Sequence, residues 1–103
     1  MSKAIYWYTQ AAQYNEVQSQ NNLAEIYFQG DGVTVDKQKA FYWFSRAAEQ
    51  GSAKAQSNLA LLYYHGAGVK QDKQKAFYWF NKAAEQGNTI AIQFLQNLKF
   101  DIN

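Results

Sequence analysis

The sequence predicts an all-α fold, an α/α superhelical solenoid of about three helix–turn–helix repeats with six helices in total. The main observation is an internal repeat: Trp7, Trp43 and Trp79 are each separated by 36 residues, and their neighbours recur in the same register. The chain has 103 residues, just under three such units, and contains neither cysteine nor proline. Packing rather than disulfides must therefore stabilise one modest domain.

The first half of each repeat has the pattern of an amphipathic helix. In the middle copy the apolar residues fall at i, i+3, i+4, i+7 and i+8, namely Ala40, Trp43, Phe44, Ala47 and Ala48. Asp36 precedes this segment as an N-cap, and Gly51 follows it, where a left-handed conformation ends a helix. We expect all three tryptophans in the core, between the two helices of each hairpin.

The second half of each repeat predicts another helix. It starts after Ser52, a good N-cap residue, and ends at Gly66. Its apolar face has residues at i, i+4, i+7 and i+8, namely Ala55, Leu59, Leu62 and Tyr63. Glycine-containing loops at residues 30–33 and 66–69 join one repeat to the next, so each unit is an α-hairpin followed by a loop.

Several blocks recur together across nearly the whole chain. They are residues 66–69 (Gly-Ala-Gly-Val), Asp72, Lys75, Ala76, Trp79, residues 82–87 (Lys-Ala-Ala-Glu-Gln-Gly), residues 55–59 (Ala-Gln-Ser-Asn-Leu) and Tyr63. On these residues the chain resembles the Sel1-like repeat family, whose α/α hairpins are similar to tetratricopeptide repeats. We expect a single domain over residues 1–103, with repeat 1 at 1–39, repeat 2 at 40–75 and a terminal repeat 3 at 76–103. Repeat 1 begins level with Lys37, so the aspartate and the glycine loop that precede the first helix of the later copies are missing, and we expect it to be a truncated unit.

No set of residues in the sequence has the pattern of a catalytic, metal or cofactor site. His65 is the only histidine, and its place at a helix end favours a surface or capping role. The loop containing Gly30 and Asp31 does not match the twelve-residue calcium loop of an EF-hand. A hydrolase, the less favoured alternative, would need a nucleophile with a positioned histidine and carboxylate. We therefore expect a non-enzymatic protein without a cofactor.

The charge balance gives no indication of a nucleic-acid or membrane partner. The formal net charge is +2, and aspartates interrupt the basic stripe of Lys37, Lys39, Lys70, Lys73 and Lys75. The first ten residues lack the apolar run of a signal peptide, and no segment reaches the roughly 18 apolar residues of a membrane span. We expect the chain with this sequence to be cytoplasmic. Whether a signal segment once preceded it stays open.

Tyr6, Tyr42 and Tyr78 lie opposite the apolar stripe of their helices, on the polar face. Two interpretations stay open: packing against the next repeat, or a binding surface. Resemblance to Sel1-like repeats implies a protein or peptide partner held in the solenoid groove. For that role the candidate residues are the three tyrosines as aromatic anchors, Arg46 and Lys82 as anion contacts, and Glu49 and Glu85 as residues that set register.

The resemblance also leaves a narrower alternative, a bacterial immunity protein that neutralises a toxin by direct binding. The charge of +2 argues mildly against a toxin acting on nucleic acid, because an inhibitor of such a basic protein profits from an acidic face. A structural role by stacking of copies through the first repeat is a third possibility. We expect a monomer or weak self-association.

Overall fold

Six helices follow one another along the chain, as the repeat predicts. The computed structural model describes the backbone of residues 3–102 and the side chains of residues 5–98. The helices are α1 (Lys3–Gln13), α2 (Val17–Gln29), α3 (Lys37–Glu49), α4 (Ala53–His65), α5 (Lys73–Glu85) and α6 (Thr89–Ile102). The described residues contain no strand, which confirms the all-α prediction.

The helix ends carry the caps that the sequence predicts. The Asp36 side chain accepts a hydrogen bond from the Lys39 backbone N–H at 3.0 Å, and Ser52 Oγ accepts one from the Ala55 N–H at 3.2 Å. These bonds satisfy amide groups in the first turn that have no partner within the helix. Helix α4 ends at Gly66, which has a left-handed φ of 71°.

Each helix packs against its neighbours in sequence, so α2 to α5 have a partner on both sides and α1 and α6 have one described partner each. The result is an elongated stack with principal extents of 48 × 25 × 18 Å. One cluster of buried apolar side chains joins α1 to α4, and a second joins α4 to α6. Because contacts run between sequence neighbours and not across a closed bundle, the architecture is the predicted α/α solenoid.

Small and large apolar residues alternate on the buried faces. Ala40 and Ala47 of α3 are fully buried and let the neighbouring helices approach closely, while Phe44 fills the space between them. Ala76 and Phe80 occupy the same positions in α5 and are also fully buried. The repeated sequence block therefore produces a repeated core.

The tryptophans are not equivalent, and the prediction of three core tryptophans is wrong. Trp43 is only 8% exposed, Trp79 is half-buried and Trp7 is 64% exposed. Helix α3 has described helices on both sides along the stack, whereas in the described part of the chain nothing precedes α1. Trp7 has sequence surroundings similar to those of Trp43, but no helix among the described residues covers it from the preceding side.

Candidate partner-binding surface

Three tyrosines form a row along the first helix of each repeat, and we call this row the tyrosine face. Tyr6, Tyr42 and Tyr78 occupy equivalent positions of α1, α3 and α5 and are 52%, 52% and 54% exposed. About half of each tyrosine residue is therefore exposed to solvent. The other half is covered, and a binding role for these residues stays a prediction.

Each tyrosine of this face is supported by the tryptophan that follows it. The ring centroids of Tyr42 and Trp43 are 4.9 Å apart with an interplanar angle of 80°, an edge-to-face geometry. The pairs in α1 and α5 repeat it, with centroid distances of 5.0 and 5.1 Å. Such pairs contribute about 0.5–1.5 kcal/mol beyond area burial. The tyrosine rings are thus pre-oriented by their own helix.

A basic side chain lies beside each of the two later tyrosines. The Arg46 guanidinium carbon is 5.8 Å from the centroid of the Tyr42 ring and 5.4 Å from that of Trp43. Its Nη1 donates to Tyr42 Oη at 3.3 Å, and its Nη2 donates to Asn15 Oδ1 at 2.5 Å. Lys82 takes the same place in α5, with Nζ 5.5 Å from the centroid of the Tyr78 ring. These cation–π contacts place positive charge beside the exposed rings.

The two glutamates predicted to set register are at the C-terminal ends of α3 and α5. Glu49 and Glu85 are exposed there. Among the described side chains, neither carboxylate pairs with Arg46 or Lys82. The structure therefore brings the tyrosines and the basic residues together and leaves the role of the glutamates a prediction.

A ladder of glutamines between repeats was not predicted from the sequence. Gln56 is buried; its Nε2 donates to the Ala48 carbonyl oxygen at 3.2 Å, and its Oε1 accepts from Gln86 Nε2 at 2.9 Å. Gln20 and Gln50 repeat the Oε1 to Nε2 contact one unit earlier, at 2.8 Å. The sequence signal for it is that glutamine recurs after 36 residues, at Gln20 and Gln56, within a helix face that is otherwise apolar. This ladder is structural, because it satisfies buried polar groups.

Four lysines of the basic stripe place their ammonium groups over aromatic rings of the preceding helix. The pairs repeat with the 36-residue period: Lys37 over Phe28, Lys39 over Tyr27, Lys73 over Tyr64 and Lys75 over Tyr63, at 5.1–5.9 Å from ammonium nitrogen to ring centroid. These contacts fix the start of one repeat on the end of the one before it. They give the stripe a structural role.

The described residues hold no group of three histidine, cysteine, aspartate or glutamate side chains close enough to bind a metal ion. His65 is exposed at the end of α4, where its ring meets Tyr64 edge-on at a centroid distance of 5.2 Å. Within the described part of the chain, every helix is too short or too polar to cross a membrane.

Comparison with known proteins identifies the repeat. The family model of the Sel1 repeat matches residues 1–13, 17–52 and 53–88. No curated protein matches the sequence significantly.

Several solved structures have the same fold. A Sel1 repeat protein from Oxalobacter formigenes is 40% identical with a TM-score of 0.89, over 94% of this chain and 29% of that one. A protective antigen present in uropathogenic Escherichia coli strains, with an SLR fold, is 42% identical with a TM-score of 0.87, over 88% of this chain and 20% of that one. Cysteine-rich protein B of Helicobacter pylori, 24% identical with a TM-score of 0.82 over 87% of this chain and 68% of that one, shares the fold.

This chain thus spans less than a third of the length of the first two structures. Sel1 repeats are generally protein-interaction modules and typically non-enzymatic scaffolds. Because the family model covers most of the sequence in three consecutive segments, the chain belongs to the Sel1 repeat family.

Proposed function

We propose that this chain is a non-enzymatic interaction module that binds a protein or peptide partner on its tyrosine face, in the groove of the solenoid. One observation carries the proposal: Tyr6, Tyr42 and Tyr78 are each about half exposed and recur at the same position of successive repeats. Large aromatic side chains that stay in water along one surface are typical of partner-binding sites.

The geometry favours affinity because little has to be ordered on binding. Each tyrosine ring already packs edge-on against a tryptophan, so less side-chain entropy is lost when a partner covers it. Tyrosine is enriched in binding hot spots because it offers a large contact area and a hydroxyl group that bonds to the partner.

Arg46 and Lys82 define the chemistry of the partner. Both side chains lie over the rings of the tyrosine face, so their positive charges border the surface that the partner would cover. We infer a partner segment with a carboxylate near its apolar anchors, because a guanidinium binds a carboxylate through two parallel hydrogen bonds. Glu49 and Glu85 would then select against misaligned acidic segments.

The test compares capture by three forms of the chain: the natural sequence, the double variant Tyr42→Ala with Tyr78→Ala, and the control Tyr14→Ala. Tyr14 is 85% exposed and lies outside the tyrosine face. Polypeptides retained from an extract of the native cells are quantified by mass spectrometry, and the purified partner is then titrated by calorimetry. We expect the double variant to bind more weakly by over about tenfold and the control to bind normally.

Circular dichroism of the double variant measures its helicity, and so separates a loss of binding from a loss of folding. Unchanged helicity with normal partner binding would refute the proposal, and loss of helicity would show that the tyrosines belong to the core. A captured polypeptide that stops growth when expressed alone, and permits growth when expressed with this chain, would identify the partner as a toxin.

A further inference from the structure

A cavity of about 280 Å³ lies between α2 and α4, and no part of the proposed function uses it. Its walls combine apolar side chains with a polar rim: Phe28, Phe44, Leu61 and Leu62 on the one hand, and Glu25, Gln29 and Asn58 on the other. The tyrosine face, by contrast, is on α1, α3 and α5. An apolar pocket with a few polar groups at its edge is the usual form of a binding site.

The equivalent space one repeat further along is filled by the chain itself. Phe94 of α6 stands 36 residues after Asn58, so it occupies the same position of the next repeat. Its ring stacks on Phe80 with a centroid distance of 4.1 Å and an interplanar angle of 17°. It also meets the Tyr64 ring edge-on at 4.9 Å.

The partners of that ring have counterparts in the open cavity. Phe80 corresponds to Phe44, and Tyr64 corresponds to Phe28, each 36 residues earlier. Both counterparts line the cavity. The surfaces that hold a phenylalanine ring in the third repeat are therefore present around the cavity, and the ring itself is replaced by the shorter asparagine side chain.

We propose that this cavity binds the ring of a phenylalanine in a partner polypeptide, in the place that Phe94 takes one repeat later. The space is sufficient, since an apolar cavity of roughly 150 Å³ already binds benzene in another protein. One face of the incoming ring would stack on Phe44, and Phe28 would meet its edge.

The charge around the cavity defines the residue next to that phenylalanine. Glu25 is the charged residue among those that line the cavity, and its Oε1 is 2.9 Å from Lys54 Nζ, while Lys37 Nζ lies 5.9 Å from the centroid of the Phe28 ring. Its carboxylate can accept further hydrogen bonds, because two oxygens provide about four lone-pair sites. Asp31 and Glu25 together line the adjoining cavity of about 290 Å³. On the side that faces this adjoining cavity, the carboxylates of Glu25 and Asp31 favour a basic residue beside the phenylalanine.

The experiment titrates the capped dipeptide N-acetyl-Phe-Lys-amide into the full ¹⁵N-labelled chain and follows the amide chemical shifts. We expect saturable shifts at residues 28, 61 and 62 with an affinity on the order of millimolar, suited to so small a ligand. N-acetyl-Leu-Lys-amide tests the need for the ring, and N-acetyl-Phe-Glu-amide tests the charge. Both should bind more weakly.

Asn58→Phe supplies the missing ring from within the chain. This variant should unfold at a higher temperature than the natural chain and should lose the shifts caused by the peptide. Phe28→Ala removes one of the aromatic rings that line the cavity. Because this side chain is already partly exposed, the helices should persist, and the affinity for the peptide should fall by about tenfold.

Three results would overturn the proposal. They are the absence of saturable shifts around the cavity, equal binding of the leucine and phenylalanine peptides, and unchanged binding by a folded Asn58→Phe variant. If Asn58→Phe does not fold, normal binding of the peptide by Phe28→Ala would by itself overturn the proposal.

Discussion

Gly68 and Gly32 occupy the same position in successive inter-repeat loops, yet substitution by alanine should affect them very differently. Both have a left-handed backbone, with φ of 74° and 79°. A Cβ atom at Gly32 would meet no atom within 4 Å. A Cβ atom at Gly68 would lie 2.3 Å from the Lys37 carbonyl oxygen and 2.5 Å from its carbon, because this loop packs on the start of α3.

The expected magnitudes follow from these distances. An alanine with positive φ costs about 1–2 kcal/mol, and the lower entropy of the unfolded chain returns about 0.4–1 kcal/mol. Gly32→Ala should therefore destabilise the fold by about 1 kcal/mol. Overpacking against backbone adds about 1–3 kcal/mol, so Gly68→Ala should cost about 2–4 kcal/mol.

Thermal and urea unfolding followed by circular dichroism at the helical bands measures both variants. Each kcal/mol lowers the midpoint of a domain of this size by about 4–8 °C, so the two midpoints should be clearly resolved. Equal midpoints for Gly32→Ala and Gly68→Ala would refute the argument, because backbone strain alone would then account for both.

Three further predictions concern the fold. Gln56→Leu should cost about 1–3 kcal/mol in urea unfolding, because it removes two hydrogen bonds at a buried position, the one that Gln56 donates to the Ala48 carbonyl and the one that it accepts from Gln86; a neutral effect would remove the glutamine ladder as a stabilising element. Trp43→Ala should cost about 3–5 kcal/mol and the exposed Trp7→Ala much less, and equal losses would contradict the described difference in burial. Asp36→Ala should cost about 1 kcal/mol and Asp36→Asn far less, whereas equal losses would implicate charge instead of capping.

The repeated part of the fold could be predicted from the sequence because its causes are local. The spacing of Ala40, Trp43 and Phe44 determines which side of α3 is buried, and Asp36 and Gly66 act on the turn next to them. The exposure of Trp7 could not be read from its surroundings in sequence, since these have the same apolar pattern as those of Trp43. Burial of that position depends on a neighbouring helix.

The candidate sites show the same division between local and non-local causes. Helical periodicity placed Tyr42 and Tyr78 on the polar face, where the structure finds them exposed. Arg46 follows Tyr42 by four residues and Trp43 by three, so its place over both rings is also local, whereas its hydrogen bond to Asn15 requires the preceding repeat. The same holds for the glutamine ladder, whose partners come from adjacent units.

The cavity is a consequence of one position that breaks the repeat. Asn58 and Phe94 differ, and this change in sequence indicates only that the third repeat departs from the second. The structure adds what the change does: Phe94 fills a space against Phe80 that stays open beside Phe44. Departures from a repeat therefore mark where an otherwise uniform solenoid acquires a distinct surface.

Photocrosslinking from the tyrosine face tests most directly where a partner binds. Tyr42 is replaced by the photoreactive residue p-benzoylphenylalanine, and a matched variant carries the same residue in place of Tyr14, which is exposed but outside the face. Irradiation of each variant with the purified partner should give a covalent adduct from position 42 and little from position 14. An adduct from position 14 and none from position 42 would contradict the assignment of the tyrosine face as the binding surface.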